Sequence, residues 1–460
     1  MRCRDGICAT ALSFAMITTA CTAVVTPGTA VARDSVLSSS VDPSFVHGTD
    51  GGDTDRLAAT AITDIQAFWR ESFPTLSGGT WTDLSGGVFS ADTIDQKATP
   101  PPCTGRASEI EGNAFYCARS DSIAWDRASL LPVLRDRFGD AAVVLVLAHE
   151  MGHAVQSRSG LTPEVAQADP RRYPTILVET MADCYAGAFV RSVTDGKSPH
   201  LRIDARQLDR ALSALVSFRD PAGTPQSSAS AHGDAFDRVS AFQDGYQQGT
   251  RTCFGMTVTN QRFTQRGFAS GKDLATGGNL TLADLLGLIT PDLRGYFGRI
   301  VVAAGRPWTA PPVTQTDRTP TCSGADQGPA AFCADRHSIV LGTRGDTPAL
   351  VSDIGDYAIG TLVASRFGLA ALAALGKPVR GADAGRQAVC LAGSYTASLL
   401  ASPGPTDLTL TPGDLDEAVQ LLLGHDFAAR DVAGHATLTG FARVSAFRAG
   451  FREGHTACGV

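Results

Sequence analysis

The longest interior apolar stretches of the chain read as helices. Ala141 to Ala148 is unbroken apolar sequence. Asp140 precedes it as a natural N-cap, and Gly160 supplies a C-terminal stop. A second helical segment runs from about Thr175 to Ser192. Met181, Ala182, Cys184, Ala186, Gly187 and Ala188 make it largely apolar, which predicts burial, and its small residues predict close packing on the first helix. A third helix is expected over Asp234–Gln248, and Ser122-Ile123-Ala124-Trp125 reads as a short strand. The N-terminus has a different pattern. Arg2 and Arg4 precede an apolar run from Ala9 to Val25, and Ala30-Val31-Ala32 follows, which is the layout of a secretory signal peptide. Residues 33–55 are rich in Ser, Asp and Gly with little periodicity and read as a flexible leader. No interior apolar run reaches the roughly eighteen residues of a membrane span.

The pattern repeats. Asp237-Arg238-Val239-Ser240-Ala241-Phe242 reappears about 205 residues later as Ala442-Arg443-Val444-Ser445-Ala446-Phe447. Cys184-Tyr185-Ala186-Gly187 returns as Cys390-Leu391-Ala392-Gly393, and Phe115-Tyr116-Cys117 as Ala331-Phe332-Cys333. The expected organisation is a signal peptide (1–32), a leader (33–55), one domain (56–255), a polar Gly- and Thr-containing linker (256–278) and a second copy of the domain (279–460).

Composition sharpens this picture. With 460 residues, 43% hydrophobic and 18% charged, the chain is long and apolar enough to fold into two or three domains and is not disordered. A net charge of −7 excludes a strongly basic nucleic-acid binder. The 11 cysteines are an odd number, but Cys3, Cys8 and Cys21 leave with the signal peptide, and eight remain. Eight cysteines in an exported protein imply an oxidising compartment and four bridges. Their order suggests Cys103–Cys117, Cys184–Cys253, Cys322–Cys333 and Cys390–Cys458, although each set of four allows three pairings. The protein is expected to be secreted or in the cell envelope. Lipid anchoring through Cys21 is an alternative, but Thr18-Thr19-Ala20 lacks the leucine usual before a lipidated cysteine.

The first predicted helix carries His149-Glu150-Met151-Gly152-His153. Residues four apart share a helical face, so both imidazoles can reach one metal, while Glu150 turns towards the metal's open side. Zinc needs a third protein ligand. The second helix offers Glu179, with Asp183 one turn later to orient a ligand imidazole.

His149-Glu150-Met151-Gly152-His153-Ala154-Val155-Gln156, then Glu179-x-x-Ala182-Asp183-Cys184-x-Ala186-Gly187, then His232-Gly233 and Arg238, resemble the bacterial neutral zinc metallopeptidase family over about Asp55 to Gly255. The resemblance implies an α+β, mainly helical, gluzincin-like domain with a small sheet, distantly similar to thermolysin. It implies one Zn²⁺ per chain on His149, His153 and Glu179, and peptide-bond hydrolysis with Glu150 as general base. In such folds the strand at Ser122, Ile123 and Ala124 would form the rim that binds an extended peptide. His232 is a candidate donor to the transition-state oxyanion, and Arg238 reads as structural because Arg443 repeats it. Two features depart from the family: Ala118 follows Tyr116-Cys117 where proline is usual, and members ordinarily carry one such domain. In the second copy Ser365, Arg366, Leu369, Gly385 and Val389 stand opposite His149, Glu150, His153, Glu179 and Asp183, so that copy is expected to be inactive. It could bind the first copy or an envelope partner. Partners are otherwise a peptide or protein substrate, with no nucleic acid and no stable membrane span once the signal is cleaved. A non-catalytic, zinc-stabilised envelope binding protein and a zinc hydrolase of a non-peptide bond are the alternative readings.

Overall fold

A computed structural model describes residues 35–229, 231–401 and 406–460. The signal-sequence reading, with Cys3, Cys8 and Cys21, lies outside the described residues. Helix α1 (Asp53–Ser77) leads to a three-stranded sheet of β1 (Val88–Ala91), β2 (Ala114–Cys117) and β3 (Ser122–Asp126). Four further helices follow: α2 (Asp140–Arg158), α3 (Thr175–Thr194), α4 (Ala205–Ser217) and α5 (Ala235–Gln248). The same order then recurs as α6 (Leu282–Ala303), strands β4 (Val313–Thr316), β5 (Ala330–Cys333) and β6 (Ser338–Gly342), and helices α7 (Asp356–Ala374), α8 (Ala382–Ala401), α9 (Asp414–Gly424) and α10 (Gly440–Glu453). The fold is α+β and mainly helical, as expected.

Sequence explains the central position of α2. Gly139 and Gly160, both at positive φ, bracket it, and Asp140 is its first residue rather than its cap, paired with Arg135 at 2.9 Å. Only Val146, His153 and the last turn escape full burial, so an apolar cylinder is covered by neighbours on every side. Gly152 faces α3 closely: a Cβ there would lie 2.9 Å from the Ala182 Cα. Gly187 was expected to serve that contact but faces α5 instead, where a Cβ would overlap the Phe242 carbonyl. Gly245 repays the approach against the Cys184 carbonyl, and Cys184–Cys253 locks the crossing. The helices α8 and α10 repeat this device with Gly393, Gly450 and Cys390–Cys458. Cys103–Cys117 and Cys322–Cys333 complete the four disulfides.

In both sheets the last strand is central. The orders are β1-β3-β2 and β4-β6-β5, with one parallel and one antiparallel pairing each. Ser122, Ile123 and Ala124 therefore lie buried in an inner strand, with Ile123 and Ala124 paired on both sides and Ser122 paired with β2. They cannot form the expected substrate rim, because their backbone groups are already used; the free edge belongs to β2.

Two other expectations change. Residues 35–52 are no loose leader. Val36 and Val46 are buried, Leu37 bridges Leu201, and His47 bridges Phe89. Single apolar anchors in a polar segment hold it down, which average composition does not reveal. Residues 256–278 are likewise a fixed strap: Thr264 binds Asp237 through its backbone and hydroxyl, and the buried Gln265 donates to Asp220. Helix α7 is long and apolar enough to cross a membrane by length and composition, but 89% of that stretch is buried in the protein, as in a core helix.

The two halves cap each other's helices. Asp209 on α4 accepts from the Gly440 and Phe441 N–H groups that open α10. Its counterpart Asp416 on α9 accepts from Ala235 and Phe236 at the start of α5. Phe236 packs against Phe451, and Arg448 pairs with Asp244. Asp234, Asp237 and Asp416 lie in this region. Burial holds all three above the ordinary aspartate range, Asp234 at about 6; the charge of Asp220 adds to it at Asp234, and that of Asp234 adds to it at Asp237 and Asp416. An unfolded aspartate ionises near 3.8, so Asp234 contributes stability below that pH that is lost as pH rises to about 6. Asp234→Asn keeps the acceptor for the Asp237 N–H and removes the titrating group. It is expected to flatten the fall of Tm between pH 4 and pH 6, measured by thermal melts in chelator; an unchanged slope would show that Asp234 does not titrate in that window.

Candidate active site

A cavity of about 1340 Å³ opens between β2, α2, α3 and the strap. His149, Glu150 and His153 reach it from α2, and Glu179 from α3. The potential ligand atoms of His149, His153 and Glu179 lie within 4.8 Å of one another. Glu179 Oε2 is 3.2 Å from His149 Nε2 and 3.7 Å from His153 Nε2. Thus the i, i+4 spacing does bring both imidazoles to one point, and the neighbouring helix supplies the carboxylate.

Each imidazole is oriented from behind. His149 Nδ1 is 2.7 Å from Asp183 Oδ1, and Asp183 is held by Arg238 through two contacts of 2.8 and 2.9 Å. Arg238 also donates to the Phe218 carbonyl. The His153 Nδ1–H donates to Gln156 Oε1, whose amide nitrogen is fixed by the Val178 carbonyl at 2.6 Å. Both Nδ1 atoms are thus engaged from behind, and each Nε2 faces the centre, where it is the nitrogen that would hold a metal. Gln156 and the orienting role of Arg238 were missed from sequence. Both stand in the motifs that carry the family resemblance, and Arg238 reads as structural; what the sequence did not show is that Gln156 orients His153 and that Arg238 holds Asp183 from a different helix.

The electrostatics suit a cation. Burial opposes charge on His149, yet Asp183, through charge and hydrogen bond, together with Glu179 and Glu150 outweighs it and raises the imidazole to about 10. Burial also opposes ionisation of Glu179, but the charge of His153 and the hydrogen bond and charge of His149 hold it well below the usual range. Asp183 is lowered too: Arg238 and His149 prevail over its burial. Glu150 goes the other way, pushed up by burial against the pull of both histidines. Its Oε2 accepts from the Tyr116 N–H at 3.0 Å, which ties it to the free edge of β2. Asn113, Ala114, Phe115 and Tyr116 line the cavity in place of the expected Ser122–Ala124.

His232 stands at the rim, its side chain 49% exposed and its Nδ1 3.4 Å from Asp220. Val258, Gln261 and Phe263 of the strap line the same cavity, and nothing in their sequence announced it. The matching place in the second half is filled. Arg366 is fully buried and donates to the carbonyls of Arg430 and Phe427. Gly385 stands opposite Glu179 because a Cβ there would overlap the Ala429 carbonyl.

The donor set fits zinc: two imidazole nitrogens and one carboxylate oxygen, each imidazole carrying an orienting partner. Asp183→Asn is expected to lower zinc affinity about 10- to 100-fold by weakening the hold on His149. Competition with a chromophoric chelator measures this; wild-type affinity would show that Asp183 serves packing alone.

The family described as "Putative neutral zinc metallopeptidase" matches residues 31–254. Two Escherichia coli proteins, each named "Uncharacterized protein YpfJ", from strains K12 and O6:H1, are 29% identical over 151 residues, covering 29% of this chain. The aligned region spans 50% of the length of these relatives. No solved structure matches. The sequence match and the geometry of the cavity agree, and residues 31–254 of the chain belong to the neutral zinc metallopeptidase family.

Proposed function

We propose that the protein is an exported zinc-dependent peptidase in which His149, His153 and Glu179 hold one Zn²⁺. Bound zinc would supply Lewis acidity, making a water acidic and polarising the scissile carbonyl. Glu150 is the general base. Its Oε2 is engaged by the Tyr116 N–H, which leaves Oε1 to take the proton of the attacking water and pass it to the leaving amine. Burial raises its carboxyl above the usual range, which strengthens it as a base. The free edge of β2 would hold an extended substrate by strand addition. His232 at the rim would donate to the oxyanion once substrate covers it.

The observation that carries this reading is Glu150 itself. A buried carboxylate fixed beside a potential metal triad and open to a cavity serves hydrolysis; a purely structural zinc has no use for it. That argues against a non-catalytic binding protein. The peptide-shaped edge of β2 favours a peptide over other hydrolysable bonds. Four disulfides support export to an oxidising compartment. The recurring element order supports an internal duplication, and the plugged second half supports loss of activity there.

Glu150→Gln is expected to retain one zinc per chain and to lose about 10³-fold in kcat/KM on a peptide library. Metal analysis and a peptide-cleavage assay of the same sample check both parts. Wild-type cleavage by the variant would remove Glu150 from the mechanism, and two zinc ions per wild-type chain would contradict an inactive second half.

A further inference from the structure

Three carboxylates meet inside the second half, outside the cavity described above. Asp356 opens α7, and Asp414 and Glu417 lie in the first turn of α9. One oxygen from each lies within 4.8 Å of the others, and the three residues are only 3%, 6% and 7% exposed. Asp356 Oδ1 is buried with no hydrogen-bond partner. Gly355, at φ +140°, presses against the Glu417 carboxyl, where any Cβ would overlap it. Hydrogen bonds meet part of the demand: Thr411 donates to Asp414 through its N–H at 2.6 Å and its hydroxyl at 2.8 Å, and the Tyr357 N–H donates to Glu417 at 2.7 Å. Among the described residues no cation pairs with any of the three. Arg266 acts on Asp414 through its charge but donates to the Leu410 carbonyl.

The first half shows what the same place looks like when it is neutralised internally. There Gly139 and Asp140 open α2, Asp140 pairs with Arg135 at 2.9 Å, and Arg210 lies against Gly139, 3.5 Å from where a Cβ would stand. In the second half Val351 stands where Arg135 does and Glu417 where Arg210 does. Asp414 stands where Gln207 does, so two arginines, a glutamine and one acid face a valine and three acids at the same places. Two helix N-termini together offset about one negative charge, which leaves a deficit of about two. Unpaired buried carboxylates are costly, so the deficit calls for a divalent cation. An all-oxygen, nearly dry cage suits calcium, which tolerates irregular carboxylate coordination, better than magnesium, which keeps its waters.

We propose that Asp356, Asp414 and Glu417 bind one Ca²⁺-class cation that fastens α7 to α9. The ion would also anchor the segment joining the halves, because Asn279 at its end accepts from the Asp356 N–H at 3.0 Å. Burial raises all three carboxyls, and repulsion adds to it at Asp414, which stands at about 7, and at Glu417, so protons compete with the cation.

The test is titration of the full mature chain with CaCl₂ at pH 7.5 after stripping with a calcium chelator, by calorimetry and by thermal melts. The expected result is one calcium per chain and a Tm rise of about 4 °C at calcium about 100-fold above its Kd. Asp356→Asn and Glu417→Gln lose the uptake and the shift, whereas Glu179→Gln in the other half keeps both. If wild-type protein takes up no calcium at millimolar concentration and its Tm does not move, or if the folded Asp356→Asn and Glu417→Gln variants bind as wild type does, the proposal is overturned and the carboxyls share protons instead. The wild-type titration decides even if a variant fails to fold.

Discussion

A buried carboxylate, Asp183, is the point on which the site depends. It is fully enclosed, and it is tolerable there only because Arg238 from α5 and His149 from α2 both bind it. One side chain on α3 thereby sets the distances among three helices. The glycines at 152, 187 and 245 permit this closeness, since each clears backbone at a crossing where a methyl group would intrude. The Cys184–Cys253 bridge then holds α3 beside α5 at the residue next to Asp183. The chain of contacts from Arg238 through Asp183 to His149 is what aims one metal-facing nitrogen, and the Gln156–Val178 contact aims the other.

The second half keeps the crossings and drops the charges. Its α8–α10 contact repeats the glycines and the disulfide, but Val389 replaces Asp183 and there is no imidazole to orient. Without an ionised centre the cleft has no reason to stay open. Arg366 fills the Glu150 position, and the Phe427–Ala429 turn closes over Gly385. What this half gives the first is mechanical. Asp416 caps α5 just after His232, so the rim of the cavity rests on a residue from the other half of the chain.

Much of this was legible because it is local. Helix α2, its two histidines and Glu150 follow from spacing on one turn, and Glu179 with Asp183 from spacing on the next helix. Repetition in the sequence anticipated the cysteine pairs now seen as disulfides. The errors concern partners far apart in the chain. Ser122–Ala124 looks like any short strand, and only pairing with both β1 and β2 shows it to be internal. Gly187 is small wherever it points, so sequence alone could not say that it faces α5 rather than α2. The strap at 256–278 is polar like a linker, yet Thr264 and Gln265 find buried acceptors that sequence does not reveal.

The central claim is that two imidazoles from α2 and one carboxylate from α3 form a single metal site. X-ray absorption at the zinc K-edge, on protein reconstituted with one equivalent of zinc, tests it directly. The account predicts two imidazole nitrogens at about 2.0–2.1 Å with the remaining ligands oxygen and no sulfur. It also predicts that Glu179→Gln alters the oxygen shell while both imidazoles stay. A sulfur ligand, a single imidazole, or a spectrum indifferent to Glu179 would contradict it.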